Sequence, residues 1–155
     1  MEAPAAERLL LVSSSGGVLL DLLALSHWWR RHDRVWAAVR APDTASALPG
    51  ERVIWIRDSS VSRPLALVPS VVEAWRILRR ERPGLVVSAG SGPAIAFFLV
   101  SRLLAIPTFW VSTLNLVGRP GIAGRICSRL ASRVLLQRAA TLAAHPSGIV
   151  VGELY

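Results

Sequence analysis

Residues 83–104 read PGLVVSAGSGPAIAFFLVSRLL. Leu85–Ala89 is a short, unbroken apolar run, the mark of a strand buried on both faces. Gly90-Ser91-Gly92 turns the chain tightly. Pro93 then suits the first turn of a helix running to Leu104, where its missing N–H has no partner to lose. Just upstream, Arg79, Arg80 and Arg82 gather at the end of another helix, where the dipole favours cations, and Pro83–Gly84 stops it. Helix, strand, glycine turn and helix in that order make one unit of an α/β fold.

The same unit opens the chain. Arg8–Ser13 reads as a strand, Ser14, Ser15, Gly16 and Gly17 as a polar turn, and Val18–Arg31 as one helix with Leu19, Leu22, Leu23 and Leu25 at helical spacing. Trp28 and Trp29 are adjacent, so they point about 100° apart on that helix and both cannot enter the core. Asp21 reads as a dipole-facing or solvated acid. Val35–Val39 and Val53–Ile56 are further strands, with Ala41–Gly50 a loop of at most one helical turn. Ser70 and Glu73 fit a capping box that would start a helix at Ser70, preceded by an additional turn from Pro64. Its apolar stripe is Val71, Ala74, Trp75 and Leu78. Thr108–Ser112, Val134–Gln137 and Ile149–Val151 read as strands, Ile122–Ser132 and Ala139–Ala144 as helices, and Thr113–Gly121 as a polar loop. The expected architecture is a Rossmann-like parallel sheet with helices on both faces, one domain over residues 1–155.

Composition narrows the function classes. Of 155 residues, 52% are apolar and 18% charged, which excludes a disordered polar chain. Eighteen basic residues, all Arg, stand against ten acidic ones. With six Trp, this excess suits an anionic lipid surface as well as an ordinary Arg-rich protein. No run reaches the roughly 18 apolar residues that a bilayer span needs, because Arg102 splits the greasiest stretch. A single cysteine, Cys127, rules out an intramolecular disulfide, and His27, His32 and His145 lack metal-ligand spacing. No metal or cofactor is expected. The arginines are scattered and no nucleic-acid motif appears, so nucleic acid is not the expected partner.

In a doubly wound sheet, ligands bind at the carboxyl ends of the strands. Both glycine turns sit there. Each exposes backbone N–H groups at a helix amino terminus, where a phosphate can approach, and Ser13–Ser15 add hydroxyls. Neither turn is a G-x-G-x-x-G or a P-loop, and Val39-Arg40 lacks the acid that would hold an NAD ribose. Plain turn geometry is the alternative reading of each glycine. Asp43 and Asp58, in loops, could reach such a cleft.

The stretches LLLVSSSGGVLLDLLAL (9–25), WWRRHDRVWAAVRAPDTASAL (28–48) and AWRILRRERPGLVVSAGSGPAIAFFLVSRLLAIPTFWV (74–111) resemble the acceptor-side subunit of split UDP-N-acetylglucosamine transferases. That family includes the asparagine-linked glycosylation fourteen protein and the bacterial PssD-like proteins, and is similar to the amino-terminal half of MurG. The resemblance runs over about residues 8–150, and its most specific pieces are the Arg-Arg-Glu-Arg-Pro run and the Ser-x-Gly-x-Gly turn. It implies half of a GT-B glycosyltransferase, with a separate donor-binding subunit, a lipid-pyrophosphate acceptor and attachment to the cytoplasmic membrane face. On that reading Ser14, Ser15, Gly16 and Gly17 hold the acceptor pyrophosphate, Gly90, Ser91 and Gly92 shape the opposite lip, and Asn115 and Arg119 reach sugar or phosphate. Membrane contact would fall on Trp28, Trp29, Arg30 and Arg31, or on Arg125 and Arg129. Val18 stands where the family has His, and Ser112 and Leu116 stand where it has an acid and an Arg. No catalytic base is therefore assigned. A catalytically silent scaffold that recruits a transferase to the membrane is the alternative, and after it a nucleotide- or nucleic-acid-binding Rossmann module.

Overall fold

The computed structural model describes residues 7–60, 62–112, 121–136, 142 and 147–150. Seven parallel strands form one sheet in the order β3-β2-β1-β4-β5-β6-β7. They are β1 Leu9–Ser13, β2 Arg34–Val39, β3 Val53–Ile56, β4 Leu85–Ser88, β5 Thr108–Val111, β6 Arg133–Leu136 and β7 Ile149–Val150. The helices are α1 Gly17–Ala24, α2 Ser26–Trp29, α3 Pro42–Ala47, α4 Leu67–Glu81, α5 Gly92–Leu103 and α6 Ile122–Leu130. The expected fold class holds.

Alternation along each strand builds two cores. Leu10, Val12, Val35 and Val86 pack one face under α4, α5 and α6, through Ala74, Ile77, Leu78, Phe97, Phe98 and Cys127. Leu9, Leu11, Trp36 and Val87 pack the other with Leu19, Leu22 and Trp29 from α1 and α2. This two-sided burial is what a parallel sheet requires.

Four expectations are corrected. The single helix over 18–31 is two, because the chain turns at Leu25 (φ −80°, ψ 10°). That turn swings Trp29 into the core, 2% exposed, where its indole N–H donates to the Leu22 carbonyl at 2.7 Å and its ring meets Trp36 edge-on. Asp21 is fully buried, not solvated. The one helical turn expected within Ala41–Gly50 is longer, a six-residue helix over Pro42–Ala47. Finally, α4 begins at Leu67, ahead of the Ser70/Glu73 pattern. Ser70 lies inside it, its hydroxyl donating to the Ala66 carbonyl at 3.4 Å, while the Glu73 carboxylate accepts from the Arg57 N–H at 3.2 Å. Half of such a box forms on α3, where the Thr44 hydroxyl accepts from the Ala41 N–H at 2.8 Å, while Ala41 has no side-chain oxygen to return the bond. The helix expected over 139–144 lies outside the described residues.

At the amino-terminal edge of the sheet, arginines and acids pair. Buried Glu81 accepts from Arg52 at 2.9 Å and Arg8 at 3.4 Å, Arg8 holds Asp33 at 2.7 Å, and Arg34 holds Glu51 at 2.7 Å. At the β3 edge the Arg40 guanidinium lies 5.7 Å from the centroid of Trp55.

Cys127 is fully buried, and desolvation pushes its thiol up to about 12. The folded protein therefore keeps this proton where the unfolded chain, titrating near pH 9, loses it. The contribution to stability is complete below about pH 9 and is lost as pH rises toward 12. A thiol-specific reagent at pH 8 should label Cys127 only at the rate of unfolding, and fast labelling of the native protein would refute this burial.

Candidate functional site

The sheet reverses its winding between β1 and β4, which pair directly with Val12 opposite Ser88. The two glycine turns therefore emerge side by side, about 5 Å apart at their roots. The Ser88 hydroxyl donates to the Val12 carbonyl at 2.8 Å and accepts from the Gly90 N–H at 3.2 Å, which locks both turns to the sheet.

In the first turn Ser14 and Gly17 are half-buried and Ser15 and Gly16 exposed. Gly16 caps α1 with φ +75° and ψ −137°, a conformation that side-chain-bearing residues rarely adopt. Two of the three expected hydroxyls bond back into the turn: Ser13 donates to the Ser14 carbonyl at 2.7 Å and Ser14 to the Ser15 carbonyl at 3.4 Å, while Ser15 is exposed. The Gly16 N–H donates to Asp43 Oδ2 at 2.8 Å. Asp43 is thus the loop acid that reaches the turn, carried there by α3. Its signal in the sequence was the Pro42-Asp43-Thr44 start of a helix, with Pro and then an acid in the first turn.

In the second turn Gly90 has φ +119° and Ser91, the cap of α5, φ +122° and ψ 164°. That region is close to glycine-only, and holding a serine there costs of order 1–3 kcal/mol. Ser59, from the segment after β3, packs against this turn. A β-carbon on Gly92 would collide with the Ser59 carbonyl oxygen and lie 3.4 Å from its hydroxyl. Ser59 is 5% exposed, and among the described residues neither its hydroxyl nor that of Ser91 finds a hydrogen-bond partner. Ser59 was not singled out in the sequence, where it reads as part of a polar exposed loop. Asn115, Leu116 and Arg119 lie outside the described residues, as does the loop 113–120 that carries them. Ser112 is buried beside the end of β5.

The residues expected to meet a membrane divide. Trp29 is core, and Trp28 is half-buried against His32, ring centroids 5.5 Å apart, so this helix presents Arg30 and Arg31 without exposed indoles. Arg125 and Arg129 are exposed on α6, near Ile122 at 66%. Of the expected α4 stripe, Ala74 and Leu78 are buried and Val71 packs against the core, but Trp75 belongs instead to an outward stripe on α4 and the 3-10 turn before it. Leu65, Val68, Val72 and Trp75 all face out, at 86%, 61%, 45% and 42% exposed. Their spacing of three and four residues continues to Arg79, whose guanidinium lies 5.8 Å from the Trp75 centroid. Among the described residues no helix is long and apolar enough to cross a membrane. Hollows of about 380 and 320 Å³ lie at the opposite end of the strands, around Pro107 and Pro83, away from both turns.

No family model matches the chain. Its curated relatives are UDP-N-acetylglucosamine–N-acetylmuramyl-(pentapeptide) pyrophosphoryl-undecaprenol N-acetylglucosamine transferases. The one from Lawsonia intracellularis is 34% identical over 95 residues, 61% of this chain and 25% of the relative. The one from Methylococcus capsulatus is 30% identical over 139 residues, 81% of this chain and 38% of the relative. Among solved structures, Acinetobacter baumannii MurG matches with a TM-score of 0.78 at 18% identity, covering 95% of this chain and 45% of that one. The UDP-GlcNAc 2-epimerase of Methanocaldococcus jannaschii matches with 0.72 at 14%, covering 94% and 45%. The chain thus spans less than two fifths of these relatives and under half of either structure, and its Rossmann-like fold is that of MurG.

Gly92→Ala should destabilise the protein by about 1–3 kcal/mol in urea unfolding, because the obstructing Ser59 atom is backbone and cannot rotate away. An unchanged midpoint would mean that Ser59 does not sit against α5.

Proposed function

We propose that this chain is the acceptor-binding part of a two-part glycosyltransferase. It moves N-acetylglucosamine from a UDP-sugar to a polyprenyl-pyrophosphate-linked acceptor, and a donor-binding partner supplies the nucleotide-sugar site. The observation that carries this reading is the pair of glycine turns side by side at the β1/β4 reversal, each opening a helix amino terminus toward one edge. Such termini favour anions and can neutralise charge that develops on a diphosphate. The similarity to transferases that act on pyrophosphoryl-undecaprenol supports the acceptor class. Ser14 to Gly17 and Gly90 to Gly92 would line the acceptor side of the cleft, with Asn115 and Arg119 from the following loop.

Mixed with purified donor-binding partner, the chain should support sugar transfer from UDP-N-acetylglucosamine to a short polyprenyl-pyrophosphate acceptor. Gly17→Trp should lower that rate at least tenfold. Full transfer by the variant would remove the first turn from the site. The alternative, a scaffold that recruits the transferase without serving its chemistry, is favoured by Val18, an apolar side chain at the mouth of the first turn. Restored transfer in Val18→His would then identify an impaired enzyme, and unchanged low turnover a scaffold.

Membrane attachment belongs to the same proposal, at the cytoplasmic face where a lipid-linked acceptor would be met. Its best support is the outward stripe of Leu65, Val68, Val72 and Trp75, flanked by exposed Arg76, Arg79, Arg80 and Arg82. Apolar side chains with an arginine rim fit the headgroup boundary of an anionic bilayer. Exposed Arg125 and Arg129 on α6 would add to the attraction. The chain should float with vesicles containing anionic phospholipid, and Val68→Asp with Trp75→Asp should leave it in the bottom fraction. Flotation unaffected by the pair would exclude α4 as the contact.

A further inference from the structure

Moving a sugar onto a hydroxyl calls for a proton acceptor, and the first turn has none of its own. Residues 13–18 read Ser-Ser-Ser-Gly-Gly-Val, without a carboxylate or an imidazole among them. One carboxylate is brought to the turn from elsewhere. Asp43 Oδ2 accepts from the Gly16 N–H at 2.8 Å. That bond leaves Oδ1 without a partner among the described residues, on an exposed side chain at the open rim of the turn. A carboxylate keeps lone pairs for a hydroxyl after one N–H has bound.

The position of this carboxylate is built. β2 pairs in parallel with β1, Ala38 opposite Ser13, so the chain leaving β2 emerges beside the turn that leaves β1. Thr44, fully buried, ties that chain down. Its Oγ1 accepts from the Ala41 N–H at 2.8 Å and lies 2.8 Å from the Val39 carbonyl oxygen. Asp43 is thus held between two fixed points, the buried Thr44 and the Gly16 amide. A group fixed in this way has little freedom left to lose when a substrate arrives. The other titratable groups described do not meet these conditions. Asp21 and Cys127 are fully buried, and His27 and His32 lie ahead of β2, at the amino-terminal edge. Asp58 is exposed just before Ser59, at the second turn, and among the described residues no hydrogen bond holds it.

We propose that Asp43 is the general base of the transfer. This rests on the acceptor reading above and deepens it by naming the proton acceptor. The acceptor hydroxyl oxygen bonds to the anomeric carbon of the UDP-sugar held by the donor-binding partner. The bond from that carbon to the diphosphate oxygen breaks, and its electron pair leaves with UDP. The hydroxyl proton passes to Asp43 Oδ1, and the carboxylic acid so formed releases it to water. The Gly16 N–H occupies Oδ2 throughout, which leaves Oδ1 for the proton. Thr44 is a positioning residue.

The test measures kcat and the acceptor KM for the chain mixed with its donor-binding partner, UDP-N-acetylglucosamine and a short polyprenyl-pyrophosphoryl sugar. Asp43→Asn keeps an oxygen for the Gly16 N–H and removes the base. It should lower kcat by about a hundredfold or more with KM nearly unchanged. The Gly16 amide resonance of the ¹⁵N-labelled variant should stay in place, which separates loss of the base from loss of a brace. Should Asn disturb the turn, Asp43→Ala decides: formate restores a carboxylate to the emptied position and should raise its rate about tenfold. Full kcat in Asp43→Asn, or an effect confined to KM, would overturn the proposal. So would an Asp43→Ala rate that formate leaves unchanged, or loss of turnover in Asp58→Asn with Asp43→Asn fully active. No transfer by the unaltered chain with its partner present would instead overturn the acceptor reading itself.

Discussion

The pairing of β1 with β4 is the constraint on which the remaining structure depends. From that seam the chain winds outward both ways, through β2 and β3 on one side and β5 to β7 on the other. The described connections from β1 to β6 are crossovers that lay helices on the faces of the sheet, and both faces are buried as a result. The seam also fixes the site. Two turns rooted on adjacent strands cannot separate without breaking the ladder, and the Ser88 hydroxyl adds a bond from one root to the other.

Charge is distributed along the same axis. At the amino-terminal edge acids are neutralised by arginines, with buried Glu81 shared between Arg8 and Arg52. Exposed arginines collect on the outer sides of α4 and α6. At the carboxyl edge the Asp43 carboxylate accepts from a backbone N–H of a glycine turn. The excess of positive charge therefore marks a surface for association, while the candidate site is built from small residues and main-chain donors.

The strands were legible because each is a short apolar run, and in a parallel sheet buried on both sides composition alone gives them away. The glycine turns followed from their places after β1 and β4. Helix ends were not legible. Leucine periodicity runs on through Leu25, and only the core's demand for Trp29 explains the turn there. The Ser70/Glu73 pattern mimics a helix start, yet α4 extends upstream because Glu73 has another use, at the Arg57 N–H. Trp75 looked like core by type, but the stripe that includes Leu65, Val68 and Val72 faces out, and hydrophobicity cannot say which of two apolar faces is covered. Asp43 was legible only as a loop acid able to reach a cleft, and Ser59 was hidden, for another reason. Each reaches its turn from a segment distant in sequence, and such a contact exists only once the sheet has assembled.

The sheet's outer margin at β3 has its own significance. A bare strand end-rail offers unpaired amides and carbonyls on which a second molecule could polymerise. Here the rail is four residues long, bracketed by Arg52 and Arg57, with the Arg40 guanidinium laid over Trp55. A rail this short, with an arginine beyond each end, is a poor template for cross-chain stacking, although its own sequence, Val-Ile-Trp-Ile, is rich in strand formers.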